Sequence, residues 1–214
     1  MVIKMLQFRA SEVGDIMASP DKNILPQGAM THLEKMVRRI TLGWSQNLDT
    51  YEMQKGKEVE DDAIALFNEV SGNFYLKNAD RKTTELFTGE CDIDDPDSSF
   101  IWDIKNAYSK DTFKSYVDIK TNKKYFWQLV QYATMWGRDN AGLCYTLLDT
   151  PPHLIKASDP IDWHEVSHID PKYRVTTASM QVTQELKEQL INRATLAQNK
   201  LKEMLDDKGF SYES

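Results

Sequence analysis

Two short segments on either side of an acidic turn constrain the fold of this chain more than any other feature. The first is Gly89-Glu90-Cys91-Asp92 and the second is Ile101-Trp102-Asp103-Ile104-Lys105. If they pair as a β-hairpin without a bulge, Asp92 lies directly opposite Asp103, and Lys105 points to the same face. Facing carboxylates repel each other and normally reduce stability. Two acids and a lysine at one point therefore indicate a divalent-metal site with a neighbouring amine.

Length and composition are those of one globular domain, and we expect residues 1–214 to form it. No run of apolar residues approaches the roughly 20 that a membrane span needs, and the segment Met1–Ala10 lacks the apolar core of a signal peptide. The two cysteines, Cys91 and Cys144, have no paired spacing and are typical of a reduced intracellular protein. The sequence thus predicts a cytoplasmic protein that does not contact membranes.

The charge distribution leaves room for binding nucleic acid at one place only. A net charge of −7 argues against a protein that coats nucleic acid, because such proteins are basic. Between residues 105 and 124, however, six lysines stand against two aspartates. An enzyme can use such a local surface to hold the phosphates of its substrate. We call these residues the basic stripe: Lys105, Lys110, Lys114, Lys120, Lys123 and Lys124.

Apolar periodicity predicts an α/β fold in which helices flank a small mixed β-sheet. Helices are expected from a cap at Ser11 and over residues 30–40, 50–70, 109–116, 125–136 and 183–205. Strands are expected over residues 74–77, 85–93, 100–105 and 143–148, with weaker candidates at 153–157 and 173–180. No internal repeat or long linker divides the chain.

The Asp-x-Lys triplet that begins at Asp103 has a second copy, Asp118-Ile119-Lys120, so the triplet alone carries little information. The first copy ends an apolar strand, has a carboxylate partner in Asp92 and follows an acid-bearing helix. The second copy has none of these features and leads into a polar turn over residues 121–124. Asp103 and Lys105 are therefore the candidate site residues.

These residue types suit the chemistry of a hard divalent cation. Mg²⁺ binds oxygen ligands, usually one or two carboxylates, and leaves its other positions to water and substrate phosphate. Such an ion lowers the pKa of bound water, polarises a phosphoryl oxygen and stabilises the leaving oxygen. Lys105 would position or deprotonate the attacking water, or neutralise developing charge. The hairpin predicts metal-assisted hydrolysis of a phosphate ester.

Four further side chains have two interpretations from the sequence alone. Glu60 lies among other acids, and helical periodicity favours a solvated helix face for it. Gln128 and Tyr132 are four residues apart and share a helix face, with Gln131 close to them. The two amides either face solvent as ordinary polar residues or orient the attacking water or a phosphate. Spacing does not separate these interpretations.

With these residues identified, the chain resembles the PD-(D/E)xK nucleases of the λ exonuclease and YqaJ viral recombinase group. The resemblance spans about residues 4–149 and consists of four segments in the order found in the family. Asp103 stands where the family usually has a glutamate. The segments are Ala10-Ser11-Glu12-Val13 followed by Ala18 and Pro20, the helix from Gly56 through Glu60 to Ala63, Asp92 followed by Asp103-Ile104-Lys105-Asn106, and Gln128-Leu129-Val130-Gln131-Tyr132.

The resemblance implies a restriction-endonuclease-like core that binds Mg²⁺, with Mn²⁺ as a substitute. Both glutamines are kept, because RecB-type nucleases and λ exonuclease use different ones. The implied metal ligands are Asp92, Asp103, the Ile104 carbonyl and Glu60, and the catalytic set adds Lys105, Gln128 and Gln131. The implied ligands of DNA phosphates are Ser11, Lys4, Arg9, Lys110 and Tyr132, where Lys110 replaces an arginine of λ exonuclease.

The resemblance also implies an activity: digestion of double-stranded DNA from its ends, 5′ to 3′, in phage-type recombination. By the same analogy the protein would act as a toroidal trimer, with a single-strand annealing protein as partner, in a bacterial host of a phage or prophage. Three alternatives stay open: a RecB- or CRISPR-adaptation-type single-strand nuclease, a non-catalytic DNA-end-binding protein, and a site-specific restriction endonuclease. Two isolated cysteines count against the adaptation type, which usually carries an iron–sulfur cluster.

Overall fold

The secondary structure confirms the predicted α/β class. The computed structural model describes residues 2–4, 6–44 and 49–213, with side chains at 6–44 and 49–211. The strands are β1 Val2–Lys4, β2 Phe8–Arg9, β3 Lys82–Thr83, β4 Phe87–Gly89, β5 Ile93–Asp95, β6 Phe100–Ala107, β7 Asn140–Leu147, β8 Val175–Gln181 and β9 Ser211–Glu213. The α-helices are α1 Gln27–Thr41, α2 Tyr51–Glu58, α3 Glu60–Ser71, α4 Lys123–Trp136 and α5 Gln184–Asp206.

A mixed four-stranded sheet in the order β5-β6-β7-β8 forms the centre of the fold. Strands β6 and β7 run parallel, while β5 and β8 are antiparallel to their neighbours. Because a parallel pair needs a crossover connection, the chain passes through α4 between β6 and β7. The sheet therefore carries the candidate residues of β6 in its interior.

Helices cover both faces of this sheet, as the sequence predicts. On one face, Phe67 of α3 packs against Trp102 and Ile104 of β6. On the other face, α1, α4 and α5 surround Leu143 of β7 in the larger core. Since side chains alternate along a strand, Asp103 points to the α4 face. Among the described residues, no helix has both the length and the apolar character that a membrane span needs.

Two smaller sheets are not predicted by the sequence. Strand β1 pairs with β9, and β2 and β3 flank β4. Their strands are two or three residues long, which is too short for an apolar alternation to stand out. The predicted single strand over residues 85–93 is accordingly wrong. Its first part is β4 and its end is the start of β5, and of the two only β5 pairs with β6.

The predicted helix over residues 50–70 is two helices. Helix α2 begins after Thr50, whose side chain accepts a hydrogen bond from the Met53 N–H at 3.4 Å. At Val59 the backbone leaves the helical region, with φ −103° and ψ 14°, and α3 begins at the next residue. Helix α3 then ends at Gly72, whose φ of +71° lies in the left-handed region that favours glycine. The break places Glu60 in the first turn of a helix.

Local side-chain hydrogen bonds explain two further errors. The predicted helix over residues 109–116 is a turn, because Thr112 Oγ1 accepts a hydrogen bond from the Ser109 N–H at 2.9 Å. The predicted strand over residues 74–77 is extended but unpaired, because the Asn68 side chain binds both the N–H and the carbonyl of Tyr75 at 2.9 Å. Such bonds satisfy backbone groups that a helix or a sheet would otherwise use.

Two other segments form 3-10 turns. The helix expected from Ser11 is a single turn over Val13–Ile16. The strand candidate at residues 153–157 is also wrong, since Pro152–Leu154 is a 3-10 turn that begins at a proline. Proline has no N–H to give to a ladder and is disfavoured inside a sheet.

Candidate active site

The hairpin between β5 and β6 has the predicted register. Ile93 pairs with Trp102, so one step further along the strands Asp92 lies opposite Asp103. The backbone N–H of Ile104 donates a hydrogen bond to Asp92 Oδ2 and holds this carboxylate beside β6. The structure therefore brings the two predicted acids together.

Asp103 is buried, with only 2 % of the residue exposed. Its Oδ1 accepts a hydrogen bond from Gln128 Nε2 at 3.1 Å. Its Oδ2 lies 2.7 Å from Lys105 Nζ as an ion pair, but accepts no hydrogen bond of good geometry from any described residue. A carboxylate oxygen has more than one lone pair, so Oδ2 can bind a second cation beside the Lys105 ammonium group.

The electrostatics of the site favour a charged lysine between two acids. Burial raises the pKa of Asp92 and the charge of Asp103 raises it further, while Lys105 and the Ile104 N–H act in the opposite direction. For Lys105, burial lowers the pKa, but Asp103 and Asp92 together outweigh burial and raise it. The amine therefore keeps its proton at neutral pH. This arrangement favours neutralisation of developing charge over deprotonation of water.

The donor set fits a hard divalent cation with few protein ligands. Mg²⁺ needs only one or two carboxylates, because water and substrate phosphate complete its shell. The Oδ2 of Asp103, the Asp92 carboxylate and the Ile104 carbonyl supply such a set. Within residues 6–44 and 49–211, no three side chains of His, Cys, Asp or Glu lie close enough to hold a metal ion together. The described protein thus offers two carboxylates at one point, not three.

These groups open into a cleft of about 460 Å³, which we call the acidic cleft. Helix α2 forms one wall, and β6 and α4 form the others. The lining includes Met53, Gly56, Lys57, Glu60, Asp92, Asp103, Lys105, Tyr125, Gln128 and Tyr132. Every residue that the sequence predicts as a metal ligand or catalytic group therefore lies at this cleft, with the exception of Gln131.

Glu60 lies at the edge of the acidic cleft in the first turn of α3. Its Oε2 is 3.1 Å from Lys77 Nζ, and 29 % of its side chain is exposed. The structure therefore places Glu60 near the two aspartates but pairs it with a lysine. Helical periodicity, which favours a solvated face, does not reveal this partner.

The two glutamines of α4 have different environments. Gln128 Nε2 lies 3.1 Å from Asp103 Oδ1 and 3.2 Å from the Tyr132 hydroxyl. Gln131 is fully buried, and its Nε2 instead donates to the backbone carbonyls of Phe8 at 3.3 Å and Thr88 at 3.2 Å. Gln131 thus links α4 to the small sheet that contains β2 and β4, away from the acids.

We expect substitutions of the two glutamines to separate activity from stability. If the acidic cleft hydrolyses phosphate esters as the sequence predicts, Gln128→Leu should lower that rate about tenfold or more, because Asp103 loses the hydrogen bond that fixes its orientation. Gln131→Leu should lower the free energy of unfolding by about 1–3 kcal/mol, because two carbonyls lose a buried donor. Cleavage kinetics well below the unfolding transition, together with urea denaturation, measure both effects. The reverse pattern would assign the site role to Gln131.

A second depression of about 500 Å³ adjoins the acidic cleft. Tyr132 lines both spaces. Burial, followed by the charge of Asp103, raises the pKa of Tyr132, so its hydroxyl keeps its proton. We call this space the arginine pocket; it is lined by Arg9, Ala10, Ser11, Arg81, Thr88, Gly89, Glu90 and Tyr132.

Close packing and an ion pair shape the arginine pocket. A side chain at Gly89 would meet Tyr132 Cε1 at 2.9 Å, so only glycine lets the tyrosine approach β4. Glu12, next to Ser11, forms a two-pronged ion pair with Arg39 of α1, with Nη2 2.6 Å from Oε1 and Nη1 3.1 Å from Oε2. Such planar pairing fixes geometry well. It holds the turn that carries Ser11.

The remaining predicted phosphate ligands lie elsewhere. The Lys4 side chain lies outside the described residues. Lys110 is half-buried, lines neither the acidic cleft nor the arginine pocket, and donates its backbone N–H to the Trp163 carbonyl at 2.9 Å. Within the described residues, no member of the basic stripe except Lys105 forms an ion pair. The stripe from Lys110 to Lys124 is therefore a set of lysines without a close ion-pair partner among the described residues.

Sequence reasoning missed Arg81 and Lys77. Arg81 Nη2 lies 2.9 Å from Glu90 Oε2 in the arginine pocket. Lys77 ends the wrongly predicted strand over residues 74–77, Arg81 lies in no predicted element, and neither residue belongs to a motif. The sequence holds one signal for the Arg81–Glu90 pair. Arg81 directly precedes β3 and Glu90 directly follows β4, and residues at matching positions of paired strands can face each other.

Comparison with known proteins supports the fold. No family model and no curated protein sequence matches the chain. A solved phage-related exonuclease from Haemophilus somnus 129PT is 26% identical, with a TM-score of 0.88, and the alignment covers 95% of this chain and 97% of that one.

A more distant solved structure, the alkaline exonuclease LHK-Exo from Laribacter hongkongensis, is 16% identical with a TM-score of 0.64. The alignment covers 95% of this chain and 93% of that one. The same enzyme in complex with dAMP gives 17% identity and the same TM-score of 0.64. The chain has the fold of these exonucleases over nearly its whole length, which confirms the resemblance to the λ exonuclease group of nucleases.

Proposed function

We propose that the protein is a Mg²⁺-dependent deoxyribonuclease that digests double-stranded DNA from its ends, 5′ to 3′. One observation carries the proposal: the buried Asp103 faces Asp92, and its Oδ2 pairs with Lys105 at 2.7 Å but has no other polar partner among the described residues. The likeness to a phage-related exonuclease at 26% identity supports a nuclease over other phosphate chemistry.

The predicted metal ligands and catalytic side chains that line the acidic cleft each have a role in this proposal. Asp92, Asp103 and the Ile104 carbonyl would hold Mg²⁺ or Mn²⁺, and Glu60 would join them directly or through water. The bound ion would polarise the scissile phosphate and activate water. The Lys105 ammonium neutralises charge that develops on the phosphate oxygens. Gln128 keeps Asp103 in one orientation through its 3.1 Å hydrogen bond.

The arginine pocket would bind the terminal phosphate of the DNA. Arginine recognises phosphate with two parallel hydrogen bonds, and a serine hydroxyl can add a third. Arg9, Arg81 and Ser11 line this pocket, and Tyr132 connects it to the acidic cleft. A terminal phosphate held there would leave the next phosphodiester near the metal ligands. This adjacency supports cleavage from an end.

The wider biological setting follows from the resemblance. We propose a homo-oligomer, a trimer by analogy, that encloses DNA and acts with a single-strand annealing protein in phage-type recombination. The lysines of the basic stripe from Lys110 to Lys124 would attract the DNA backbone. The bacterial cytoplasm is the expected location.

Three DNA substrates test the proposal. With Mg²⁺, we expect a linear duplex with 5′-phosphate ends to be digested at least about tenfold faster than one with 5′-hydroxyl ends, because charged hydrogen bonds to phosphate are strong. A supercoiled circle should stay intact, and a chelator should stop digestion.

Arg81→Gln should reduce the preference for 5′-phosphate, while the adjacent Lys82→Gln should keep it. Cleavage of the circle would indicate an endonuclease, and DNA binding without nucleotide release would indicate a non-catalytic protein.

A further inference from the structure

Lys77 and Asn78 together link two parts of the acidic cleft that are distant in sequence. It lies in the extended segment that follows α3, and its Nζ is 3.1 Å from Glu60 Oε2 and 2.9 Å from Asp61 Oδ1. The next residue, Asn78, donates its backbone N–H to the Asp92 carbonyl at 2.8 Å and its side-chain amide to the Cys91 carbonyl at 2.9 Å. Consecutive residues thus bind the first turn of α3 and the arm that carries Asp92.

The negative charges that line the acidic cleft are partly neutralised by a lysine at its edge. Glu60, Asp92 and Asp103 all line the same space and repel one another. Lys77 neutralises Glu60 at the edge of the cleft, where 43 % of the lysine side chain is exposed. Asp61 is a second partner for the same ammonium group. Lys77 can therefore give up Glu60 and still keep an ion pair.

We propose that Lys77 is a positioning residue that competes with the divalent ion for the Glu60 carboxylate. In the metal-free protein Lys77 holds Glu60 outside the ligand set of Asp92 and Asp103. When the ion is bound, Glu60 turns towards it and Lys77 stays with Asp61. The inference rests on the proposed function, because it requires metal at the two aspartates.

Metal binding measured by calorimetry tests this competition. We expect Lys77→Gln to bind Mn²⁺ about three- to fivefold more tightly than the unmodified protein, since an exposed ion pair contributes up to a factor of about five. Lys77→Arg preserves both ion pairs and should bind Mn²⁺ with unchanged affinity. Lys57→Gln is the matched control, because Lys57 also lines the cleft but pairs with Asp49 at 3.4 Å. It should change the affinity less than about twofold.

A second comparison separates competition from a general loss of positive charge. In a protein that carries Glu60→Gln, adding Lys77→Gln should change Mn²⁺ affinity less than about 1.5-fold, because the contested carboxylate is gone. Equal effects in both backgrounds, or weaker binding by Lys77→Gln, would overturn the inference. If the unmodified protein and Asp103→Asn bind Mn²⁺ equally, the metal site itself is wrong and the proposed function fails.

Discussion

Replacing Asp103 by asparagine is expected to lower the rate of DNA cleavage by about a thousandfold or more. The substitution removes charge from a carboxylate that is only 2 % exposed and leaves Lys105 without its partner at 2.7 Å. A neutral amide is a much weaker ligand for a hard divalent ion than a carboxylate. Single-turnover release of nucleotides from a 5′-phosphorylated duplex measures the rate.

The second Asp-x-Lys triplet provides the matched control. Asp118 Oδ1 accepts a hydrogen bond from the Lys120 N–H at 2.9 Å in an exposed turn, and an asparagine oxygen can accept the same bond. Asp118→Asn should therefore keep the rate within about twofold. Asp103→Asn should stay folded, with a free energy of unfolding within about 2 kcal/mol, because Gln128 keeps an acceptor. A folded Asp103→Asn protein of normal activity would refute the metal site.

The hairpin and its triplet could be predicted because their geometry follows from short-range rules. The two-residue period of a strand places Asp92, Asp103 and Lys105 on one face once the turn is centred. The same reasoning rejects the second triplet. Ile119 is only 4 % exposed, but it lies in a turn rather than a strand, and Asp118 faces solvent.

The partners of the site could not be predicted because tertiary packing decides them. Spacing shows that Gln128 and Gln131 lie on one helix, but the side from which β6 approaches that helix decides which amide meets Asp103. In the same way, Lys77 reaches Glu60 only because the segment after α3 folds back along it. The predicted helix over residues 109–116 was also wrong, because the Thr112 side chain binds the Ser109 backbone.

Lys55 is a buried lysine that the sequence does not reveal. None of the residue is exposed, and its Nζ donates to the carbonyls of Leu148 at 2.7 Å and Tyr108 at 3.1 Å. These carbonyls follow the ends of β7 and β6, so the lysine attaches α2 to the central sheet. Helix α2 forms a wall of the acidic cleft, and its position therefore depends on this attachment.

We expect Lys55→Met to lower the free energy of unfolding at pH 7 by about 2–4 kcal/mol. Methionine fills a similar volume but leaves the Leu148 carbonyl without this donor, and hydrogen bonds from charged groups are worth about 1.5–3 kcal/mol each. Urea denaturation in the presence of a chelator measures the change. Lys57→Met is the control, since 72 % of the Lys57 side chain is exposed and its loss should cost less than about 0.5 kcal/mol.

The pH dependence of the Lys55→Met effect gives a sharper test. Burial lowers the pKa of Lys55 from 10.5 to about 8, with Asp149 acting in the opposite direction. Between these values the unfolded chain binds a proton that the folded protein does not, so the lysine's contribution to stability rises with pH. Because one pKa unit corresponds to about 1.4 kcal/mol, the difference between unmodified protein and Lys55→Met should grow by on the order of 2–3 kcal/mol from pH 7 to pH 10.5. A constant or shrinking difference would show that Lys55 stays charged when folded, and that its two carbonyl partners compensate for burial.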